Sequence, residues 1–420
     1  ETWIGEVGWG AVIVTFRIMT VTARAYEEAL NLLEDSEHAR VFFAPGRANL
    51  AGAHMDYNGG RVMPVALSRG TYLAVSPRQD GRFLIQSAQF PGEAVELSPD
   101  DLRPGRVKSW SVYTEGALYV ARRAWGELPG LNLALSADLP MAKGLSSSAS
   151  VEAVVVYALS HLMGLNNGAS HPDQIDEWVR LAHAAENEYA GVRCGILDQS
   201  AIFLAQPDSL LWFDCLELTR EHLPLDAAQA SIVILDTGVS RQLARSAFNE
   251  RVAECTQALG LLQKHLPGIT CLRDVFPADF AKFGGELTST LHKRVRHVVT
   301  EVVRTDLAAD ALRRHDLAAF GATMTASHES MRVDYEVSIS ELDAMVAAAV
   351  AQNGCYGARL TGAGFGGCVV ALVHPDAREA FDTNVAAAYR VATGREVKPQ
   401  WFAPAGGPRE IVANLRGPSV

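Results

Sequence analysis

Residues 139–150 read LPMAKGLSSSAS, and they separate two segments of different hydrophobic periodicity. Before them, Leu131, Leu133 and Leu135 occupy alternate positions, which predicts a strand. After them, apolar residues recur at helical spacing from 151 to 162, which predicts a helix. The serine run therefore lies at a strand–turn–helix junction, on the first turn of the helix.

A serine run at the start of a helix is compatible with two roles. Serine is a common N-cap, because its side chain accepts a backbone N–H of the first turn. Alternatively, the free N–H groups and the helix dipole bind an anion, and Gly144 lets the backbone approach it closely. The hydroxyls can also ligate Mg²⁺. Because glycine, three serines and a strand-to-helix junction coincide, we favour phosphate binding.

The composition indicates a folded globular protein and argues against nucleic-acid binding. Of the 420 residues, 48% are hydrophobic and 20% charged, as in ordinary globular proteins. The net charge of −11 argues against a nucleic-acid surface, and the sequence has no run of 18 apolar residues that would cross a membrane. Six scattered cysteines without metal-site spacing favour reduced thiols in a cytoplasmic protein.

Strand and helix patterns interleave along both halves of the chain, so we predict an α/β or α+β fold with two lobes. We place the division at Asp214, giving an N-terminal domain over 19–214 and a C-terminal domain over 215–420. Residues 1–18 lack the basic region of a signal peptide. We expect them to be an extension outside the fold, with Met19 as the natural start.

Helical periodicity predicts helices over Trp110–Arg123 and Asp173–Ala190, and helical structure from Leu291 to about Met331. Glu186 follows Ala182 by four residues, which puts a carboxylate at the edge of the apolar face of its helix. Because a partly buried acid needs a partner, a metal ion is a candidate ligand there.

Two more blocks flank the serine run. Residues 46–60 read GRANLAGAHMDYNGG and are dense in polar side chains, whereas residues 359–368 read RLTGAGFGGC and form a glycine-rich turn before an apolar strand. In this order, the three blocks resemble the GHMP family of small-molecule kinases and, within it, the galactokinases. The segments RHVVTE (296–301), SHESMRVDYEVS (327–338) and CGILDQS (194–200) extend the resemblance over nearly all of 41–373.

The resemblance implies a two-lobed GHMP kinase fold of mixed sheets and packed helices, with the active site between the lobes. It implies transfer of a phosphoryl group from ATP, with Mg²⁺, to the anomeric C1 hydroxyl of a sugar. Asp198 matches the proposed catalytic base, and Arg47 matches the cation beside it, which would lower the pKa of the sugar hydroxyl. Glu186 matches the acidic metal ligand, together with Ser147 or Ser148.

Further roles follow from the same resemblance. Trp110 matches an aromatic residue next to adenine, although a core tryptophan is equally consistent with the sequence. The other implied contacts fall into three groups: phosphate-binding Gly144, Leu145, Ser146, Ser147, Ser148 and Ala149; sugar-binding His54, Asp56 and Gly195; and the supporting turn glycines Gly362, Gly364, Gly366 and Gly367.

Two sugar-site positions depart from the galactokinase pattern. Ala53 stands where galactokinases have a glutamate that binds the C6 hydroxyl, which removes a charged hydrogen bond worth roughly 1.5–3 kcal/mol. The same change removes repulsion against a C6 carboxylate, and plant galacturonokinases resemble this chain in having alanine there. Phe248 replaces a tyrosine that contacts the axial O4 hydroxyl. Galactose and galacturonate both remain candidate substrates.

Three alternatives remain. The chain could act on arabinose, fucose or glucuronate, or on a substrate of the mevalonate or homoserine kinases, although the first block resembles the sugar branch. It could also be a non-catalytic sensor that binds ATP and sugar to signal to a transcription repressor. Such sensors are damaged in the serine loop, which is intact here. We therefore expect an enzyme that binds ATP and a sugar as a monomer or weak dimer.

Overall fold

The computed structural model describes residues 24–106, 109–139, 144–165, 172–192, 194–240 and 244–412. The predicted extension at residues 1–18 lies outside the described residues. Across the described ranges, no helix has the length and apolar character that a membrane span requires.

Strands and helices alternate along the chain. The strands are β1 (Arg40–Asn49), β2 (Arg61–Val62), β3 (Pro64–Arg78), β4 (Phe83–Ser87), β5 (Val95–Leu97), β6 (Gly130–Ala137), β7 (Ser209–Asp214), β8 (Arg220–Pro224), β9 (Ser231–Asp236), β10 (Cys355–Thr361), β11 (Cys368–Val373), β12 (Gln400–Phe402) and β13 (Arg409–Ile411). The α-helices are α1 (24–31), α2 (Val112–Trp125), α3 (Ser147–Leu162), α4 (Pro172–Ala184), α5 (Leu197–Phe203), α6 (Ala244–Leu262), α7 (Pro277–Phe283), α8 (Ser289–Arg313), α9 (Leu317–Ser330), α10 (Ser340–Val350) and α11 (Arg378–Thr393).

Shorter helical turns join some of these elements. The 3₁₀ turns are Asp56–Asn58, Pro99–Asp101, Leu272–Asp274, Gly284–Glu286 and Pro375–Ala377, and the π-helical turns are Ala185–Tyr189 and Met331–Tyr335.

The strands form three sheets. The first has the order β13-β1-β3-β6-β4-β5, antiparallel except for the β4–β6 pair. The second is antiparallel with the order β10-β11-β9-β12, and the third has the order β2-β7-β8. Together with the packed helices, the mixed sheets confirm the predicted α/β class.

The junction around the serine run forms as its periodicity predicts. Leu131, Leu133 and Leu135 on β6 are buried in the same core as Val154 and Val155 of α3. Burying these two apolar faces against each other fixes where the strand ends and where the helix begins. The first turn of α3 therefore starts at the serines.

The predicted domain boundary lies close to contacts that cross it. Asp214 is the last residue of β7, which pairs with β8 in the next segment. At the other end of the chain, β13 returns to pair with β1. The division at Asp214 stays a prediction.

The predicted helical range from Leu291 to about Met331 is helical in the structure but is divided by a break that the prediction did not include. The structure has α8 and α9 there, because His315 adopts a left-handed backbone conformation with φ 56°. The Asp316 side chain then accepts the Ala319 N–H at 2.9 Å and caps the new helix. The predicted helix over 173–190 is α-helical only to Ala184, after which a π-helical turn carries Glu186.

Gly321 of α9 and Gly357 of β10 let the helix lie directly on the strand. Replacing Gly321 therefore tests this packing. A Cβ at Gly321 would meet the Tyr356 carbonyl oxygen at 2.0 Å. We expect Gly321→Ala to lower the free energy of unfolding in urea by roughly 1–3 kcal/mol, because helix and strand must separate. The matched control is Gly260→Ala on α6, where no atom lies within 4 Å. It should raise stability by up to about 1 kcal/mol. Equal stability of Gly321→Ala and the parent protein would contradict this packing.

Candidate active site

The Asp198 carboxylate is held from two sides at the first turn of α5. On one side, Arg47 of β1 approaches Asp198 Oδ1 with Nε at 2.8 Å and Nη2 at 2.6 Å. Arg47 Nη1 also donates to the Gly144 carbonyl oxygen at 2.7 Å. On the other side, the Ser146 hydroxyl donates to Asp198 Oδ2. The predicted base, its cation and the serine loop therefore form one cluster.

Ser146 occupies the N-cap position of α3 but does not act as an N-cap. Its backbone is left-handed, with φ 56°, and its side chain makes no capping hydrogen bond. The left-handed conformation is unfavourable for a residue with a Cβ atom. In this conformation the Ser146 hydroxyl points at Asp198, and the first N–H groups of α3 have no side-chain acceptor from Ser146.

Glu186 and Ser148 form the second polar pair of the site. Ser148 Oγ donates to Glu186 Oε1 at 3.1 Å, while Gln199 Nε2 donates to Glu186 Oε2 at 2.7 Å and to Glu152 Oε2 at 3.0 Å. Burial and the nearby Asp198 charge raise the pKa of Glu186. Burial and then the Glu186 charge raise the pKa of Glu152 well above its usual value.

Ser148 and Glu186 fit Mg²⁺ chemically. Both present hard oxygen donors, and Mg²⁺ is usually held by one or two protein oxygens plus substrate phosphates and water. Within the described ranges, no three His, Cys, Asp or Glu side chains form a metal-binding group. The pair therefore provides two of the oxygen ligands of such an ion.

A cavity of about 170 Å³ lies beside Asp198. Every residue that the sequence predicts for sugar binding lines this cavity. Its lining residues are Arg47, Asn49, Ala53, His54, Asp56, Cys194, Gly195, Leu197, Asp198, Phe248, Arg359, Gly362 and Ala363.

His54 is a buried and Asp56 a partly buried polar residue at the wall of this cavity. Burial, and then repulsion from Asp198, raise the pKa of Asp56 to about 6. Gly195 makes room for the Asp56 carboxylate, because a Cβ there would lie 2.3 Å from Asp56 Oδ2. His54 has a left-handed backbone with φ 57°, and burial lowers the pKa of its imidazole well below the usual value.

Ala53 is held through its backbone by α8. Its N–H donates to Glu301 Oε1 at 2.8 Å, and its carbonyl oxygen lies 3.0 Å from His297 Nε2. Burial opposes the ionisation of Glu301, but Arg304 and the other neighbouring cationic groups outweigh it and lower the pKa to about 2. The buried anion therefore fixes the loop that carries Ala53 against α8.

Arg359 is a cavity residue that the sequence analysis missed. Only 2% of its surface is exposed, and its Nη1 atom has no hydrogen-bond partner among the described residues. The nearest carboxylate oxygen, Glu301 Oε1, is 3.8 Å from Nη1. Burial lowers the pKa of Arg359 to about 10, so it remains a cation at neutral pH. The only sequence signal was a charged residue immediately before the glycine-rich turn.

The glycine-rich turn closes the cavity from the other side. It joins β10 to β11, and Gly362, Gly364, Gly366 and Gly367 all have positive φ. At Gly364, a Cβ would lie 2.3 Å from the Val337 carbonyl oxygen. The turn can therefore follow this path only with glycine there.

The remaining residues predicted for the site differ in how they pack. Trp110 stacks on Phe90 with ring centroids 5.3 Å apart, is partly buried, and does not line the sugar cavity. Leu145 and Ala149 are core residues, although the Leu145 carbonyl oxygen accepts the Arg47 N–H at 3.1 Å. Phe248 packs against Tyr57 and His54 at 5.3 and 6.0 Å between ring centroids.

Comparisons with known proteins agree with this geometry. The family model described as "Galactokinase galactose-binding signature" matches residues 32–77. Those of the GHMP kinases match residues 112–206 for the N-terminal domain and 308–391 for the C-terminal one. The fold and the serine loop thus define a GHMP kinase.

Individual relatives show which family of GHMP kinases the chain belongs to. A galactokinase of Exiguobacterium sibiricum is 41% identical over 88% of this chain and 93% of its own length. A galactokinase of Roseiflexus sp. is 42% identical over 84% of this chain and 88% of its own length. The crystal structure of Lactococcus lactis galactokinase complexed with galactose superimposes with a TM-score of 0.87, at 36% identity, over 93% of this chain and 100% of that one. The chain belongs to the galactokinase family.

The Asp56 environment predicts a pH-dependent stability. The pKa is raised from 3.8 to about 6, so ionised Asp56 destabilises the fold above pH 6 and has no such effect below pH 3.8. We expect the free energy of unfolding of Asp56→Asn at pH 7.5 to exceed that of the parent protein by on the order of 1–3 kcal/mol. The difference should vanish near pH 4 in urea titrations.

Asp80→Asn is the matched control. Its hydrogen bond from Arg78 lowers the pKa of Asp80, so this variant should lose stability at neutral pH. A gain in both variants, or a pH-independent gain in Asp56→Asn, would refute the role of the Asp56 charge.

Proposed function

We propose that this protein transfers the γ-phosphoryl group of ATP to the anomeric C1 hydroxyl of a galactose-configured sugar. The observation that carries the proposal is the Asp198 carboxylate, fixed by Arg47 and Ser146 at the wall of a 170 Å³ cavity. Membership of the galactokinase family supports the same reaction.

Asp198 has capacity left for the sugar. Each carboxylate oxygen offers two lone pairs, so the C1 hydroxyl can donate to Asp198 beside the existing hydrogen bonds. As the hydroxyl oxygen bonds to the γ-phosphorus and the bond to ADP breaks, Asp198 receives the hydroxyl proton. Arg47 remains next to the reacting oxygen and stabilises its negative charge.

The nucleotide side is provided by the start of α3. Its free N–H groups and its dipole favour the phosphates of ATP. Ser148 and Glu186 would hold Mg²⁺, since their oxygens lie 3.1 Å apart and both are hard donors. When bound, the ion neutralises phosphate charge. Gln199 keeps Glu186 oriented towards Ser148.

A non-catalytic sensor is disfavoured by the same cluster. A protein that only binds ATP and sugar needs neither a carboxylate at the hydroxyl nor an arginine beside it. Here Asp198, Arg47 and Ser146 keep a mutual arrangement that includes a strained backbone at Ser146. Strain of this kind is typical of residues that work in catalysis.

A C6 carboxylate is favoured by one specific feature, which makes galacturonate a second candidate beside galactose. Ala53 and Arg359 both line the cavity, and Arg359 Nη1 has a hydrogen atom without an acceptor in the described structure. A guanidinium group suits a carboxylate, to which it can donate two hydrogen bonds. With alanine at 53, no side-chain carboxylate there competes for this cation.

ADP release tests the reaction directly. We expect release with Mg²⁺-ATP and galactose or galacturonate, and much less with glucuronate, arabinose or fucose. Asp198→Asn should lower kcat by about 10²–10⁴-fold, because it keeps the shape of the side chain but does not take the proton. Its sugar affinity, measured by calorimetry, should change far less. No turnover with any of the five sugars would refute the proposal, and full turnover in Asp198→Asn would remove the base assignment.

Exchanging the residue at position 53 tests the C6 group. In Ala53→Glu, the new carboxylate should pair with Arg359, and the ratio of kcat/KM for galacturonate to that for galactose should fall by at least about tenfold. Phe248→Tyr is the matched control, since it adds a neutral hydroxyl elsewhere in the cavity and should leave this ratio unchanged. An unchanged ratio in Ala53→Glu would mean that the C6 group does not lie at Ala53.

A further inference from the structure

One nitrogen of the neutral His54 ring carries hydrogen, and which one it is decides whether Nε2 donates or accepts a hydrogen bond. His54 is one of the residues that line the cavity, and its Nε2 atom is buried without a hydrogen-bond partner among the described residues. His54 Nδ1 lies 3.1 Å from the Tyr57 hydroxyl oxygen. Because burial keeps the imidazole neutral, one nitrogen carries hydrogen and the other a lone pair. The partner of Nδ1 therefore sets the character of Nε2.

Tyr57 belongs to a chain of hydroxyl groups that leads away from the cavity. Its oxygen lies 2.7 Å from the Tyr335 hydroxyl, which in turn lies 3.1 Å from Cys255 Sγ. Each hydroxyl has one hydrogen to donate, so all donors along the chain must point the same way. Either Tyr57 donates to His54 Nδ1, or His54 Nδ1 donates to Tyr57 and the whole order is reversed.

The far end of the chain selects the direction. Burial raises the pKa of the Cys255 thiol to about 11, so the sulfur keeps its hydrogen at neutral pH. Among the described residues, the Tyr335 hydroxyl oxygen is the acceptor that lies within hydrogen-bond distance of this thiol. The buried thiol hydrogen is therefore used only if it is donated to Tyr335, and in the reversed order it has no acceptor there.

We propose that this phenol relay fixes His54 as an N–H donor at Nε2. The relay consists of Cys255, Tyr335 and Tyr57, acting as positioning residues. Their hydrogen bonds run from the thiol to Tyr335, from Tyr335 to Tyr57, and from Tyr57 to His54 Nδ1. The identity of the ligand rests on the proposed function, whereas the direction of the relay does not.

The relay has a consequence for sugar recognition. A donor at His54 Nε2 requires an acceptor on the ligand, such as a hydroxyl or carboxylate oxygen. Arg359 Nη1 also offers hydrogen to the cavity, whereas Asp56 offers oxygen. The cavity thus presents donors at His54 and Arg359 beside the carboxylates of Asp56 and Asp198, which restricts how a polyol can be oriented.

Nitrogen-15 NMR of the histidine rings tests the relay in the full-length protein without sugar. The His54 signals are the ring pair that disappears in His54→Gln. We expect the Nε2–H form in the parent protein and a mixture of both neutral forms in Tyr57→Phe and Tyr335→Phe. Phenylalanine at 335 keeps the ring that packs on His54 at 4.7 Å, so the change isolates the hydroxyl.

Kinetics give an independent readout. Tyr335 does not line the cavity, yet Tyr335→Phe should raise the sugar KM about three- to tenfold and leave kcat within twofold, the size expected for one hydrogen bond. The matched control is Tyr389→Phe, which removes a buried hydroxyl that donates to the Thr237 carbonyl oxygen at 2.9 Å. It should leave both the His54 signals and the sugar KM at their parent values.

The outcomes are distinguishable. An Nδ1–H form in the parent protein, or His54 signals in Tyr335→Phe identical to those of the parent, would overturn the relay. Equal KM changes in Tyr335→Phe and Tyr389→Phe would also overturn it, because general destabilisation would then account for the effect. Absence of ADP release with every sugar would instead overturn the proposed function, and the NMR spectra would still decide the relay.

Discussion

The geometry of the cavity beside Asp198 depends on a buried anion, the Glu301 carboxylate. Its Oε1 atom accepts the Ala53 N–H and the Ser327 hydroxyl, and its Oε2 atom accepts Arg304 Nε. One group thus joins the polar loop after β1 to α8 and α9, and it lies 3.8 Å from Arg359 on β10. A buried ion contributes little net stability, because desolvation offsets its attraction to cations. What it provides is geometry: Ala53, His54 and Arg359 cannot move independently of the helices behind them.

The site concentrates more negative charge than the protein neutralises. Asp56, Glu152 and Glu186 all have raised pKa values, caused first by burial and then by neighbouring carboxylates. Arg47 is paired with Asp198 and offsets the raised pKa of Asp56 only in part. Such an arrangement lowers the stability of the folded chain and is typical of sites that evolution keeps for chemistry. Under the proposed function, Mg²⁺ would bring cationic charge to this site and the sugar hydroxyls would bring hydrogen-bond donors.

Sequence patterns predicted the parts of this site that are continuous in the chain. The serine loop, Asp198 and Glu186 each sit in a local motif, and their motifs carried the family resemblance. Arg359 was missed because an arginine inside an apolar strand looks like a surface residue until the neighbouring strand and helix are in place. Ser146 was assigned to phosphate, whereas its hydroxyl binds Asp198 through a backbone angle that no spacing encodes. The break between α8 and α9 escaped detection for the same reason, since His315 interrupts the helix without a glycine or proline.

The last strand has a bearing on how the chain is made. β13 covers the free edge of β1 by pairing Val41, Phe42 and Phe43 with residues 409–411, and Arg409 lies over the Phe43 ring at 4.4 Å. During synthesis the ribosome delivers β1 roughly 370 residues before its partner, a delay of about 20–70 s at 5–20 residues per second. An uncovered apolar edge is a template for pairing with other chains. Nascent chains of this protein therefore carry an open edge for most of their synthesis, and they are the form on which a chaperone would act.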